Sequence, residues 1–299
     1  MKNTQSKSIG IVIVNYNGRK CQNNCIKSIF KNSFQNFKII VVDNNSSDDS
    51  LELLSEFNDD RIVIIRCDDN FGIAKGNNIG IKKSKELGLD YTLLLNNDTI
   101  LKENLLDELL DNIDEECVCT PKMYCADGKT IWYGGGTFVK YRGNTRHTYY
   151  LEEETSETKY EEFQTYAPTT CMLIPNTFFD EVGLIDEKYF LYFDDVDFCF
   201  RLLKSDRKIK LCSNTSIIHL VGQSSGGDES KFSIYYMTRN KFYFLNKFKK
   251  DFNIFIRCLV RIDKRLKCIK GKMKKNNYAI IGKAISDYKH KRMGRCDSL

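Results

Sequence analysis

In the first hundred residues short apolar runs alternate with helix-patterned segments, and every apolar run ends in a cluster of Asn, Asp or Gly. Ile9–Val14 predicts a buried strand and Arg19–Phe34 a helix with Cys25, Ile29 and Phe30 inward. Ile39–Val42 follows as a strand ending at Asp43, then a helix capped by Ser46 and Ser47 with Leu51, Leu54 and Phe57 on its apolar face. Ile62–Ile65, a loop at Asn70–Gly72, a helix to Leu87 and the strand Tyr91–Leu95 complete the series. Such alternation predicts βαβ units and a largely parallel sheet. In open α/β sheets the ligand crevice lies outside the carboxyl ends of the strands. Asn15-Tyr16-Asn17, Asp43-Asn44-Asn45, Asn70-Phe71-Gly72 and Asn96-Asn97-Asp98 should therefore converge on one site.

Beyond this region the pattern loosens. Glu116–Gln164, with Trp132-Tyr133-Gly134-Gly135-Gly136 and an acidic run at Glu152–Glu154, reads as irregular strands and mobile loops. A strand at Thr170–Ile174, a helix near Phe178–Val182, a helix opened by Tyr189–Asp197 and running to Leu203, and a strand at Ser216–Leu220 follow. The Gly/Ser-rich stretch Val221–Gly227 reads as a loop able to close over a substrate.

Charge divides the chain. Arg239–Leu299 holds nineteen Lys and Arg against four Asp, net +15, leaving −9 on residues 1–238 of a chain of 299 residues and net +6. A boundary near residue 240 follows, with a basic appendage suited to an anionic surface. Phe252, Phe255, Ile256, Leu259, Val260, Ile262 and Leu266 interleave with Arg and Lys, as on an interfacial amphipathic helix or on one packed against the main domain. Met1–Ser8 is polar and Ile9–Val14 too short for a signal or a span, so a cytosolic protein is expected. The twelve Cys lack zinc-site spacing, and free buried thiols are expected, notably at Cys171, Cys199 and Cys212.

Several residues could carry chemistry. Short polar side chains and Gly72, Gly76 and Gly80 would admit a diphosphate at a helix N-terminus, although Asn, Asp and Gly also simply make turns. Asp98 reads equally as a ligand for Mg²⁺ or Mn²⁺ and as the N-cap of a helix over Leu101–Leu110. Asp194-Asp195-Val196-Asp197 sets three carboxylates after an aromatic run, where like charges and desolvation strengthen a base. An acidic helix start accounts for Asp197 or Asp194 as well. His219, at a strand end, is either a metal ligand or a hydrogen-bonded histidine.

Taken in order, Val14–Gly18, Val41–Asp48, Asn70-Phe71-Gly72 with Gly76–Gly80, Leu95–Thr99, Tyr192–Asp197 and His219 resemble family 2 glycosyltransferases of the GT-A fold, nearest the rhamnosyltransferase-like branch, over about residues 8–245. The resemblance implies a mostly parallel central sheet flanked by helices, with a basic C-terminal helical extension. Residues 1–240 would form the catalytic domain, its nucleotide-sugar half about 1–115 and its acceptor half about 116–240, and 241–299 a basic amphipathic tail. It also implies inverting transfer from a nucleotide-diphospho-sugar, either dTDP-rhamnose or a UDP-sugar, to a hydroxyl of a glycan or lipid-linked acceptor in bacterial surface polysaccharide synthesis.

On that reading Asn15, Tyr16, Asn17, Asp43, Asn45, Asn70, Gly72, Lys75, Asn77 and Asn97 hold the donor, and Asp98 and His219, with Asn96, hold Mg²⁺ or Mn²⁺. Asp195 is the general base with Asp194 its competitor, and Trp132, Tyr133 and Gly135 meet the acceptor. Asn96 stands where many members carry the first Asp of the metal motif, and Asp194 where Glu is usual. The enzyme would act in the cytoplasm, peripherally on the inner membrane face through residues 247–299, without nucleic acid. The competing readings are a sugar nucleotidyltransferase and a basic-tailed nucleic-acid-binding module.

Overall fold

A computed structural model describes residues 7–220 and 230–299; the expected loop Val221–Gly227 lies outside the described residues. Ile9–Asn15 (β1), Phe37–Asp43 (β2), Ile62–Arg66 (β3) and Tyr91–Asn96 (β4) pair in parallel in the order β4-β1-β2-β3. Ile9, Ile11, Val12 and Ile13 are fully buried, and so are Ile39–Val42. A strand covered on both faces selects such continuous apolar runs. Each large aliphatic side chain buried this way contributes about 1.5–3 kcal/mol.

The helices Gln22–Phe30 (α1), Ser50–Ser55 (α2) and Gly72–Glu86 (α3) connect these strands. Helix α1 is shorter than expected. Neither Ser46 nor Ser47 caps α2, whose N-cap is Asp49. Gly76 and Gly80 do not face a ligand: a Cβ on them would lie 2.7 Å from Val14 and 2.2 Å from Val12. They let α3 press onto β1, a packing role that sequence spacing cannot distinguish from phosphate contact.

The second half of the sheet is mixed. Thr99–Leu101 (β5) pairs with Lys208–His219 (β12), and the next helix, Leu105–Asn112 (α4), starts only at Leu105 with Asn104 as its N-cap. The expected helix over Leu101–Leu110 is thus cut short by a strand, and Asp98 is not its cap. The stretch after Glu116 is ordered: Cys117–Tyr124 (β6) lies parallel to β12, flanked by Ile131–Tyr133 (β7). Pro121 hides β6 from sequence reading because proline cannot donate to a ladder. Here it faces Cys212, where β12 bulges before Ser216 resumes the pairing. Gly136–Val139 (β8) and Asn144–His147 (β9) form a hairpin. Phe163–Gln164 (β10) edges the sheet, and Cys171–Pro175 (β11) runs antiparallel between β4 and β6.

Phe178–Glu181 (α5), Asp194–Lys204 (α6) and Lys231–Lys247 (α7) cover this half. Helix α7 runs through residue 240, and Phe242, Phe244, Leu245 and Phe252 join the main core. Ile254–Met273 (α8) and Ile281–Lys289 (α9) follow. Helix α9 packs on α7, with the Tyr235 phenol donating to Asp287 at 2.7 Å, and Arg295 pairs with Asp69 at 2.8 Å. Among the tail's apolar residues Phe252 and Val260 pack inward, whereas Phe255, Leu259, Ile262 and Leu266 are exposed. Cys171, Cys199 and Cys212 are buried free thiols. Among the described residues no helix is long and apolar enough to cross a membrane.

Candidate active site

The strand ends do converge. In register, Asn15 stands beside Asp43 and Asn96 beside Val14. Buried Asn15 donates through Nδ2 to Asp43 (2.9 Å), Ser46 (3.1 Å) and Ser50 (2.9 Å), and accepts from Asn97 Nδ2 at 3.1 Å. Asp43 also accepts from the Ser46 N–H at 3.0 Å. Asn44 donates to the Gly72 carbonyl at 3.1 Å, and Asn70 Oδ1 takes the Gly72 N–H at 3.0 Å. These bonds wire four strand ends into one floor. Asn15 and Asn97 are thereby occupied internally.

Tyr16 and Asn45 are exposed along the rim. Asn17 and Asn45 take left-handed φ of 53° and 60°, a conformation Asn tolerates, and Asn17 accepts from the Ser47 N–H at 2.8 Å. Gly72, at φ +80°, leaves no room for a Cβ against the Phe190 carbonyl, which accepts from Ile73 N–H at 2.9 Å. Lys75 lays its ammonium over the Phe71 ring, 3.3 Å from its centre, and Asn77 is buried on α3.

Asp98, in the β4–β5 turn, and His219, the last residue of β12, are brought together by strand pairing: His219 stands opposite Thr99. Nε2 of His219 lies 3.3 Å from Oδ1 of Asp98, and both side chains are nearly buried. Among the described residues His219 Nδ1 and Asp98 Oδ1 have no hydrogen-bond partner. Two donors each about 2.1 Å from one octahedral cation would be about 3 Å apart, so the pair fits Mg²⁺ or Mn²⁺. Among the described residues no third His, Cys, Asp or Glu joins them. Asn96 is half-buried next to the pair in sequence, its carbonyl accepting from the Thr99 hydroxyl at 2.7 Å.

The acidic triad divides into three roles. Asp197, fully buried, pairs with Arg201 and Lys247, each at 2.7 Å, and takes the Tyr189 phenol at 3.2 Å. It ties α6 to α7. Asp194 is buried, and desolvation, then the charge of Asp195, push its carboxyl well above the usual range. Asp195 is partly open. Burial raises it too, but the Tyr166 phenol donates to it at 2.6 Å and the Val196 N–H at 2.7 Å, favouring the charged form.

Before them Tyr192 and Phe193 both take left-handed φ, 64° and 70°, which bulky residues adopt only under constraint. Buried Asn240 supplies it, donating to the carbonyls of Leu191 (2.8 Å) and Tyr192 (2.9 Å). The aromatic run is packing: Phe190 stacks on Tyr236, and Tyr189 meets Tyr243 edge-on.

One chain of contacts joins the Asp98–His219 pair to Asp195. Asp98 touches His219, whose ring meets Trp132 edge-on at 4.4 Å. Trp132 meets His147 at 4.8 Å, His147 stacks on Tyr166 at 5.8 Å, and Tyr166 bonds Asp195. Trp132 thus belongs to this contact chain, whereas the other two expected acceptor residues, Tyr133 and Gly135, are engaged in packing. Tyr133 is fully buried with its phenol on the Tyr166 carbonyl, and Gly135, at φ +123°, makes room for Gln164. Tyr166, His147 and Asn240 escape sequence reading, since none lies in a motif or next to one.

Sheet and site define an α/β protein whose polar strand ends meet a buried Asp–His pair and a tuned carboxylate. The profile of Glycosyl transferase family 2 matches residues 10–179, and the chain belongs to that family. A hexosyltransferase of low-salt glycan biosynthesis, Agl10 of Haloferax volcanii, is 29% identical over 77 residues, 26% of this chain and 25% of its own. The glycosyltransferase GlyG of Streptococcus pneumoniae is 32% identical over 113 residues, 37% of this chain and 36% of its own. The matches therefore span about a third or less of these relatives. Among solved structures, GalNAc-T7 with UDP, GalNAc and Mn²⁺ superposes with TM-score 0.58 at 18% identity, covering 80% of this chain and 50% of that one. TarS 1–349 of S. aureus with UDP gives 0.56 at 17%, covering 80% and 65%. The fold is of the GT-A glycosyltransferase type.

Proposed function

We propose that the chain is an inverting glycosyltransferase moving a sugar from a nucleotide-diphospho-sugar to a hydroxyl of a glycan or lipid-linked acceptor. The observation that supports this is the contact chain from Asp98 and His219 to Asp195, which brings a pair able to hold a cation and a partly open carboxylate together. Asp195 takes the proton of the acceptor hydroxyl as its oxygen bonds to the anomeric carbon and the bond to the diphosphate breaks. Mg²⁺ or Mn²⁺ held by Asp98 and His219, with Asn96 close by, would neutralise charge on the leaving diphosphate. Trp132, edge-on to His219, would meet the acceptor.

Of the two donor classes, a UDP-sugar is supported by the UDP and UDP-GlcNAc bound to the neighbouring TarS structures; nothing favours dTDP-rhamnose beyond the sequence resemblance. The named role of the Haloferax relative, low-salt glycan biosynthesis, supports work in glycan assembly, and with a lipid-linked acceptor the enzyme would work at a membrane surface. The test is release of nucleoside diphosphate from a panel of sugar nucleotides with Mg²⁺ or Mn²⁺. One donor should turn over, with loss in chelator. Synthesis of a sugar nucleotide from a sugar phosphate and a nucleoside triphosphate would establish a nucleotidyltransferase instead.

A further inference from the structure

Helix α8 buries one face and leaves the opposite one in solvent. Its buried residues are Val260, Cys268 and Gly271. Successive helical residues turn by about 100°, which gathers these three in one sector. Phe255, Leu259, Ile262, Leu266, Ile269 and Met273 recur at spacings of four and three and fall on the diametrically opposite side. All six are more than half exposed, up to 79% at Met273. Nineteen residues at about 1.5 Å each make a continuous apolar stripe of roughly 27 Å. Single exposed apolar residues are ordinary on a protein surface, but a contiguous stripe rimmed by charge marks an interaction face.

Charge selects the occupant. Arg261, Arg265 and Lys272 rim one edge of the stripe and Lys267 and Lys270 the other, while Asp263 is the sole acid of α8. The four-three spacing would also seat a second helix. Two copies of α8, however, would oppose like charges at the flanking positions that specify coiled-coil partners. A surface that is apolar within and anionic at its rim answers both features.

We propose that α8 lies in the plane of an anionic lipid bilayer, its stripe sunk at the headgroup–acyl boundary and its flanking Arg and Lys on lipid phosphates. The inference deepens the membrane part of the proposed function and rests on it. The β8–β9 hairpin connects this helix with the site. Phe138 packs on Phe252 just before α8, and His147 at the other strand touches Trp132 and Tyr166.

The experiment is flotation of the full chain with vesicles of phosphatidylcholine alone or mixed with phosphatidylglycerol. The protein should float with the anionic vesicles at low ionic strength, stay below with the zwitterionic ones, and be released by salt. Leu259→Glu with Leu266→Glu should lower partitioning about tenfold or more and leave the melting temperature unchanged, since both side chains are exposed. The proposal is overturned if the chain ignores anionic vesicles, if the double variant floats like wild type, or if wild type is a dimer that the variant makes monomeric. Release of nucleoside diphosphate from the sugar nucleotide, measured without vesicles, reports the transfer chemistry separately, so either can fail alone.

Discussion

The phenol of Tyr166 donates a 2.6 Å hydrogen bond to Oδ2 of Asp195, across 29 residues of sequence. It opposes the rise that burial imposes on this carboxyl, because a donor favours the charged form. Tyr166→Phe should therefore move the acidic limb of the kcat/KM profile to higher pH, with the plateau less affected. An unshifted limb would remove Tyr166 from the control of the base.

Asp195→Asn keeps the size of the side chain but not its basicity, and should cut kcat about 10²–10⁴-fold with KM for the donor nearly unchanged. Asp194→Asn should stay within about tenfold of wild type, because Asp194 is buried and its carboxyl is pushed upward by desolvation and the charge of Asp195. The opposite ranking in steady-state kinetics would reverse the assignment.

Burial of Asp194 also makes stability depend on pH. Its folded pKa lies above the unfolded one, so the unfolded chain binds fewer protons between the two and stability falls as pH rises through that window. Melting curves from about pH 5 to about pH 9 should show Asp194→Asn gaining on wild type as pH increases. A constant difference would mean that the carboxyl is not strained by its setting.

The Asp98–His219 pair should make nucleotide binding metal-dependent. Mn²⁺ with UDP at about 100 times Kd should stabilise wild type by about 2.7 kcal/mol, and Asp98→Asn or His219→Ala should remove the metal-dependent part. Equal metal-dependent stabilisation in both variants, read by thermal melts, would place the cation elsewhere.

Gly72→Ala meets two obstacles: φ of +80° and a Cβ placed 2.2 Å from the Phe190 carbonyl. The left-handed backbone alone costs about 1–3 kcal/mol, and the contact adds to it. Unfolding by denaturant should show at least that loss, with weaker donor binding as the start of α3 shifts. A variant as stable as wild type would show that the Phe190 turn can yield.

The sequence alone determined the parallel half of the sheet and the convergence of its strand ends, whereas Asp98 and His219 were joined only by the family resemblance and are brought together by the pairing of β12 with β5. Local patterns carry that information: continuous apolar runs mark strands buried on both faces, and polar residues after them mark the crevice. Tertiary structure decided the rest, because the same residue types serve packing and chemistry alike. Gly76 and Gly80 fit phosphate contact until Val14 and Val12 are seen against them. Tyr133 and Trp132 are neighbours in sequence, yet strand alternation buries one and turns the other to His219. Asp194, Asp195 and Asp197 differ only in what surrounds each: a dry interior, the Tyr166 phenol, and the cations of Arg201 and Lys247. Those partners come from up to 50 residues away along the chain. Spacing within a motif cannot name partners that distant, because only the packed fold brings them within reach of the carboxylate.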